Sequence, residues 1–450
     1  MNQGLSLLIP FGIFLILLGY WASRRKGFQW YLIADRNVGA LGLGCSIAAG
    51  FFDGFILVSY TGFVYKYGWP AMALFVGIVL GFLSFSFFTR RLQQEAKQNG
   101  YFGMSDYISK HYGETAEKVV SLYNVVFYVA LLLIQFILGA TIMQGMSGIP
   151  YGVCLGVIAV FLLSYTVLGG FRASITTDMF QWFLILFILV FLLPALFKSG
   201  DTARVLAHSD LSKSAGDVLG FLVIGAMGIF AAPELWQRCF AARDAKAIRG
   251  GLMVAGLTLP LIGLILAGIG FAAYARFPGL DPEDALVRVF QQLVPTGFRG
   301  LGLLLLLSAI LSTADTALFV ISPTVVLNLL EIRNERWTRR ISAGVVIVSI
   351  LVATAAGWLF KDVLRVAFAL AGMSVGLFPI LLAGMFWPLD RKVVVASLVL
   401  GLASVIIITV VAGAQPSISV VSLPVVLLSL IVGSTWVKVR ARRMKSVSAV

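Results

Sequence analysis

The segment Ser46-Ile-Ala-Ala-Gly50-Phe-Phe-Asp53-Gly54-Phe places a carboxylate and two glycines within a long apolar run. A carboxylate inside a membrane-spanning segment is costly and usually marks an ion path or a binding site. Irregular backbone at membrane depth is tolerated only where it is buried in protein or lines a cavity. The segment therefore predicts a membrane-spanning helix that is broken near its middle.

A second segment also combines glycines and a carboxylate with an apolar run. It runs from Gly220 through Gly225 and Gly228 to Pro233-Glu234, five predicted spans after the first. Broken helices at corresponding positions of two halves are typical of transporters built from inverted repeats, where freed backbone groups bind ions or solute. Glycine also permits close packing of unbroken membrane helices, so both interpretations of these glycines stay open.

Composition assigns the whole chain to the membrane. Of 450 residues, 60% are hydrophobic and 12% are charged, whereas soluble domains carry about 25% charged residues. Apolar runs of roughly 20 residues, the length that crosses a bilayer, recur throughout the chain. We expect one all-α polytopic domain, residues 1–450, with the lipid bilayer as its partner. It comprises a first extra helix at about 5–22, a core at about 38–387 and two further helices at about 393–437.

Hydropathy, with Gly, Pro and charge as boundaries, predicts about 13 transmembrane helices. With the N-terminus outside and the C-terminus cytoplasmic, most of the 34 lysines and arginines lie in cytoplasmic loops, as the positive-inside rule requires. The net charge of +14 follows from these scattered residues, so no nucleic-acid partner is expected. The charge bias and the lack of a recognisable targeting peptide indicate multi-pass insertion in a plasma membrane of the bacterial inner-membrane type.

Acidic and hydroxyl-bearing residues also occur together inside later spans. Asp178 and Asp315 each lie beside small or hydroxyl residues. Ala309, Ser312 and Thr313 share one face of a helix because their spacing is i, i+3, i+4. Carboxylate, hydroxyl and carbonyl oxygens suit a hard cation such as sodium, and the soft ligands of zinc or iron are missing. The hydroxyls can equally bond their own helix or a neighbouring one, and the spacing leaves both interpretations open.

Four further motifs are distributed over the chain: GMSDYI at 103–108, YTVLGGFRASITTDMFQ at 165–181, PELWQRCFAARDAK at 233–246 and ALAGMSVGLFP at 369–379. Together they resemble the sodium:solute symporter family, whose members transport proline, pantothenate, sugars and sialic acid. The resemblance implies a LeuT-type fold of two inverted five-helix repeats, with one helix before them and two after. It also implies a secondary transporter and not an enzyme, and no H-E-x-x-H or P-loop motif is present.

The resemblance also implies a sodium site between the first and eighth core helices. Its predicted ligands are the backbone carbonyls of Ala49, Phe52 and Ala309 and the hydroxyls of Ser312 and Thr313. Some family members have a second cation site, and the matching positions here are Asp178, Ser312, Asp315 and Thr316. An aspartate stands at 315 where a hydroxyl residue is often found, so the two neighbouring carboxylates can instead share a proton.

The predicted solute site departs from that of the proline-transporting members. They carry an aspartate two positions earlier, where this chain has Phe51. We expect Asp53 to face the solute cavity and to pair with an amine or another cationic group, with Phe51, Gly54 and Phe55 beside it. In the alternative interpretation, Asp53 is an added sodium ligand.

The predicted function is sodium-coupled import of a small organic solute by alternating access, with Na+ as the coupling ion. Two alternatives stay open. One is proton coupling through Asp178 and Asp315, and the other is a membrane sensor module without transport. Neither the solute nor the oligomeric state follows from the sequence.

Overall fold

The computed structural model describes residues 3–22, 27–196, 215–356, 362–387, 389–413 and 415–447. Nearly all of these residues are helical, and the few others form short turns and connections. The α-helices in chain order are α1 (Gln3–Ala22), α2 (Phe28–Ile33), α3 (Ala40–Phe51), α4 (Gly54–Tyr67), α5 (Ala73–Ser86), α6 (Thr89–Asn99), α7 (Met104–Tyr112), α8 (Glu114–Ser147), α9 (Tyr151–Leu196), α10 (Ala215–Phe230), α11 (Pro233–Ala241), α12 (Ala245–Arg276), α13 (Ala285–Gln292), α14 (Arg299–Pro323), α15 (Glu335–Ala356), α16 (Val363–Phe386), α17 (Arg391–Val411), α18 (Pro416–Ser419) and α19 (Ser422–Val447).

Within those ranges, nine helices are long and apolar enough to cross a membrane. Two pairs of shorter helices, each joined at a sharp bend, raise that number to eleven. Helix α1 contains a further, shorter apolar segment. The prediction of an all-α polytopic protein is therefore confirmed, whereas the 13 helices, the orientation of the termini and the domain boundaries stay predictions.

Helix α9 covers two of the predicted spans. It contains 46 residues, which would extend about 69 Å if straight, roughly twice the thickness of a bilayer core. Gly170 interrupts it with φ 66° and ψ −166°, a conformation that residues with a side chain rarely adopt. A Cβ at Gly170 would also lie 2.6 Å from the ring of Tyr31. The sequence predicts separate spans that begin near residues 151 and 174, and the interruption at Gly170 lies between them.

Two sharp bends lie within the segments that the sequence marks as broken. Helices α3 and α4 meet at 57°, and the bend falls at Phe52 and Asp53. Helices α10 and α11 meet at 41°, and the bend falls at Ala231 and Ala232. Pro233 then begins α11, as expected for a residue whose missing N–H is harmless in the first turn of a helix.

Gly225, which precedes the second bend, serves helix packing. A Cβ on Gly225 would lie 2.2 Å from the carbonyl oxygen of Leu74, and a Cβ on Gly77 would lie 2.2 Å from that of Leu222. Because both positions lack a side chain, the backbones of α5 and α10 come into direct contact. Of the two interpretations that the sequence left open, close packing therefore applies to Gly225, and the interruption itself comes later, before Pro233.

Helix α14 lies at the centre of the molecule. Its most apolar stretch of 18 residues is 100% buried, whereas the corresponding stretches of α17 and of α18–α19 are 33% and 22% buried. Helix α14 packs against α8 and α9 and also contacts α3 and α4. The outer helices expose large apolar side chains, as expected of surfaces that face lipid. The central position of α14 brings its polar residues next to the first broken helix.

Candidate solute cavity and ion sites

At the first bend, Phe52 directly follows α3 and Asp53 directly precedes α4. Phe52 has φ −102° and ψ 80°, outside the helical region, and Asp53 is extended. The Asp53 carboxylate accepts a hydrogen bond from the backbone N–H of Ile56. A carboxylate at this position satisfies a free amide and interacts favourably with the positive end of the helix. Asp53 therefore stabilises the start of α4.

A cavity of about 190 Å³ lies beside this bend. Of the four residues predicted for the solute site, Phe51, Asp53 and Phe55 line the cavity. Gly54 is not among the lining residues. It packs against Ile310, since a Cβ at Gly54 would lie 2.6 Å from that side chain. The cavity is lined mostly by apolar side chains, as small-molecule sites usually are.

The second bend contributes to the same cavity. Ala231, Ala232 and Glu234 line it, and Glu234 belongs to the first turn of α11. Tyr128 of α8 also lines the cavity and donates a hydrogen bond from its hydroxyl to the Glu234 carboxylate. The two broken helices therefore meet at one cavity, and each contributes one carboxylate to it.

The predicted sodium ligands come from α3 and α14. The Ser312 hydroxyl lies 3.1 Å from the carbonyl oxygen of Ala49 and 3.0 Å from that of Ala309. The Thr313 hydroxyl is buried without a hydrogen-bond partner, and Phe52 is fully buried at the end of α3. A buried polar group without a partner is costly. An oxygen ligand such as the Thr313 hydroxyl, one residue after Ser312, is of the kind that a hard monovalent cation prefers.

The positions predicted for a second cation surround a guanidinium group. Arg238 of α11 donates from Nη2 to Asp178 at 3.3 Å and to the Thr316 hydroxyl at 2.8 Å. Its Nε donates to the Ser46 hydroxyl at 2.8 Å. The side chains of Arg238 and Asp178 are 1% and 0% exposed, so their ion pair is fully buried. The chain thus supplies its own positive charge to two of the four predicted positions.

Asp315 is the second carboxylate of this cluster. Its Oδ1 accepts a hydrogen bond from Ser174 at 3.1 Å. Its Oδ2 and the Oδ1 of Asp178 are buried and have no hydrogen-bond partner among the residues that the structure describes. Two carboxylates and one guanidinium, if all are ionised, give the cluster one net negative charge. A proton or a bound cation can neutralise that charge.

The model of one protein family, described as the sodium:solute symporter family, matches residues 31–393. That range covers most of the chain and includes both bends and the residues of both ion sites.

The chain belongs to the sodium:solute symporter family.

Curated relatives of this family member cover most of its length. The sodium/pantothenate symporter of Escherichia coli (strain K12) is 24% identical over 419 residues, which span 85% of this chain and 86% of the relative. The high-affinity proline transporter PutP of Bacillus subtilis (strain 168) is 24% identical over 425 residues, which span 87% of this chain and 89% of the relative.

Solved structures with the same architecture are transporters of the LeuT fold. A Na+-coupled sialic acid symporter superimposes with a TM-score of 0.81 at 17% identity, over 96% of this chain and 98% of that chain. Mhp1, a nucleobase-cation-symport-1 family transporter, superimposes with a TM-score of 0.64 at 15% identity, over 92% of this chain and 95% of that chain. The family member is therefore a secondary transporter and not an enzyme, and it is a multi-pass protein of the plasma membrane, which in the bacterial relatives is the inner membrane.

Two residues of this transporter's site, Glu234 and Arg238, have no assigned role in the predictions from sequence, although both lie in the motif at 233–246. A buried arginine in a membrane protein pairs with a carboxylate or with carbonyl groups, so Arg238, directly after a broken apolar segment, was a usable signal. Its partner Asp178 lies 60 residues away in the chain, and hydropathy does not reveal such a pairing. Tyr128 gave no signal, because tyrosine in an apolar helix is equally typical of packing.

Proposed function

We propose that this transporter imports a small organic solute together with sodium by alternating access. The proposal rests mainly on Ser312, whose hydroxyl on α14 lies within hydrogen-bond distance of the Ala49 carbonyl on α3. Helix α3 is one half of a broken helix, whereas α14 is the buried central helix. A cation that binds both elements favours the arrangement in which they are close together. Its proposed ligands are the carbonyls of Ala49, Phe52 and Ala309 and the hydroxyls of Ser312 and Thr313.

The end of α3 links the proposed sodium site to the cavity. Ala49 and Phe52 are proposed sodium ligands, and Phe51, which lies between them in the chain, lines the cavity. Sodium that orders this end of α3 therefore also orders one wall of the solute site, which gives a positive coupling between ion and solute binding. Entry of one sodium ion releases roughly 2.3 kcal/mol per 100 mV of membrane potential, and this free energy drives solute accumulation.

The first experiment measures sodium binding without any solute. Thermal unfolding of the purified transporter is compared in sodium, potassium and choline chloride at equal ionic strength. We expect sodium alone to raise the apparent melting temperature, because a ligand that binds only the folded state stabilises it by mass action. In the variant Ser312→Ala/Thr313→Ala the three salts are expected to give the same melting temperature.

Ser308→Ala is the matched control for this experiment. Ser308 is another buried hydroxyl of α14 without a hydrogen-bond partner, but it is not a proposed ligand. We expect the control to retain the sodium effect. Equal melting temperatures in all three salts for the unmodified transporter would overturn the sodium proposal.

The Asp53 carboxylate is the proposed contact for a cationic group of the solute. It lines the cavity and is 5% exposed. Asp53→Asn removes the charge but keeps a side chain that can cap α4. We expect this variant to lose sodium-dependent uptake of amines while sodium still raises its melting temperature. Unchanged uptake of every amine tested would contradict this role, and loss of the sodium effect would make Asp53 a sodium ligand instead.

Proton coupling is the second candidate function, and the unpartnered oxygens of Asp178 and Asp315 favour it. In that case a pH gradient drives uptake in the absence of sodium. Uptake into proteoliposomes distinguishes the two functions, because an imposed inward sodium gradient and an imposed inward proton gradient can be applied separately. Uptake that needs the proton gradient alone, and that is lost in Asp315→Asn, would establish proton coupling.

A further inference from the structure

The two half-helices that begin at the bends each carry a carboxylate of the chain at their positive end. Asp53 caps α4 through the N–H of Ile56, and Glu234 lies in the first turn of α11. In transporters with broken helices, such N-termini point at anionic groups of the substrate. Here the favourable interaction of each N-terminus with an anion is already made by the protein itself. Neither N-terminus is therefore available to hold a carboxylate of the solute.

The charge of the cavity is entirely negative. Among its described lining residues, Asp53 and Glu234 are the only charged side chains. They are 5% and 8% exposed, and both line the same cavity. Arg238 makes its ion pair with Asp178, and its hydrogen bond to Glu234 goes to the backbone carbonyl and not to the carboxylate. Two buried carboxylates without a cation in the cavity are unfavourable, and a bound positive charge relieves this cost.

A buried amide adds hydrogen-bonding capacity beside Asp53. Gln135 of α8 is fully buried and lies next to Gly54, and neither its Oε1 nor its Nε2 has a hydrogen-bond partner. It follows Tyr128 and Leu131 along α8 at spacings of seven and four residues, so the three residues share one face of the helix, and the other two line the cavity. Gln135 itself is not among the lining residues, so its amide adds polarity behind the cavity wall beside Asp53.

The remaining walls suit an apolar or aromatic body. The rings of Phe63 and Phe368 stack with centroids 4.6 Å apart, and the Phe221 ring lies 5.3 Å from that of Phe63. All three line the cavity, together with Phe51 and Phe55. Aromatic faces attract cations electrostatically, and the burial of hydrocarbon against apolar walls lowers the free energy of binding. The cavity thus has one acidic polar region and an extensive apolar surface.

We infer that the cavity binds an organic cation with an apolar body, held between Asp53 and Glu234, and rejects solutes that carry a carboxylate. The inference rests on the proposed function, because it names the class of solute that the transporter carries. An ammonium group donates hydrogen bonds to both carboxylates, while the hydrocarbon part packs against the phenylalanines. A carboxylate in the same place meets two like charges in a poorly screened environment. For an amino acid, this repulsion offsets the favourable binding free energy of its amine.

The test uses sets of small molecules with a similar hydrocarbon body. Within each set, one molecule carries an amine, one an amine and a carboxylate, and one a carboxylate. One set is 2-phenylethylamine, phenylalanine and 3-phenylpropionate, and another is pyrrolidine, proline and cyclopentanecarboxylate. Dissociation constants for the full-length transporter are measured by calorimetry in sodium chloride. We expect the tightest probe to be an amine, with a Kd at least about tenfold lower than those of its matched amino acid and carboxylate, a difference that corresponds to about 1.4 kcal/mol.

Charge-removing variants link this selectivity to the cavity. Asp53→Asn and Glu234→Gln are each expected to raise the Kd of the tightest amine at least about tenfold. The matched control is Glu114→Gln, which removes an exposed carboxylate paired with Lys118 outside the cavity and is expected to leave the Kd unchanged. Retention of the sodium effect on the melting temperature shows that each variant is folded. An amine Kd within twofold of the original in Glu234→Gln would overturn the inference.

The outcomes separate this inference from the proposed sodium coupling. An amine that binds equally well in sodium and in choline chloride supports the solute class and contradicts the coupling. Stabilisation by sodium together with tightest binding of an amino acid or a carboxylate supports the coupling and overturns the solute class. Failure of every amine in the sets to bind also overturns the solute class.

Discussion

The transporter contains two buried acidic centres that differ in how their negative charge is balanced. In the cavity, Asp53 and Glu234 receive hydrogen bonds, but no lysine or arginine is among the described lining residues. In the other centre, Asp178 pairs with Arg238. The contrast indicates two roles for buried carboxylates in one protein. The cavity carboxylates are stabilised by a positive charge that arrives with a ligand. The Asp178–Arg238 pair instead connects α9 to α11, and the contacts of Arg238 with Ser46 and Thr316 add α3 and α14.

The largest expected effect comes from removing the internal cation. Arg238→Met leaves Asp178 buried without its partner, and breaking a buried pair in this way costs about 3–5 kcal/mol. We expect a corresponding fall in the free energy of unfolding, measured by chemical denaturation in detergent. The double variant Arg238→Met/Asp178→Asn is expected to recover part of the loss, because it removes both charges. No recovery in the double variant would mean that the guanidinium stabilises the fold through its other contacts.

A smaller effect is expected from Tyr128→Phe, which removes the hydroxyl that donates to Glu234. A hydrogen bond to a charged group contributes about 1.5–3 kcal/mol, so the free energy of unfolding is expected to fall by that amount. A saturating amine is expected to restore more stability to this variant than to the unmodified transporter, because it supplies donors to the same carboxylate. Equal stabilisation of both proteins would show that Glu234 does not contact the ligand.

Two substitutions at Asp53 separate its charge from its role as a helix cap. Asp53→Ala removes both and is expected to lower the free energy of unfolding by about 1 kcal/mol, because a capped amide of α4 loses its acceptor. Asp53→Asn is expected to cost only a few tenths of a kcal/mol, since asparagine caps about as well as aspartate. Amine binding is expected to weaken equally in both. A stability loss of the same size in both variants would assign the effect to the charge.

The smallest effect is expected at Asp315. Asp315→Asn leaves one carboxylate and one guanidinium in the cluster, so its formal charges balance. We expect a change in the free energy of unfolding of less than about 1 kcal/mol, in contrast to Asp178→Asn, which leaves Arg238 unpaired. Thermal unfolding of the two single variants side by side measures the difference. A loss at Asp315 as large as that at Asp178 would mean that both carboxylates hold the guanidinium.

Features encoded within one short segment could be predicted from the sequence. A carboxylate next to glycine in an apolar run led to the bend at Phe52–Asp53, and the i, i+3, i+4 spacing led to Ser312 of α14, whose hydroxyl lies beside the Ala49 carbonyl. The second bend was predicted only to within several residues. Glycines allow both a break and close packing, and only the position of α5 distinguishes these effects at Gly225.

Features that depend on packing between distant segments could not be predicted in the same way. Arg238 had a candidate signal, but any of several carboxylates could be its partner until α9 and α11 are placed side by side. The convergence of Asp53 and Glu234 on one cavity has the same origin, because 181 residues separate them in the chain and hydropathy carries no information about which faces of two broken helices meet. Their shared charge becomes visible only in three dimensions.

The complete burial of the central part of α14 has a practical consequence for spectroscopy of this transporter. A fluorophore or spin label attached there displaces packed neighbours on every side, so a change in its signal reports the damage as well as the motion. The outer face of α17 is suited to such probes, because Val410 is 70% exposed and Val399 is 55% exposed. Cysteine substitution at these positions places reporters on the periphery, where they follow helix movements without touching the ion or solute sites.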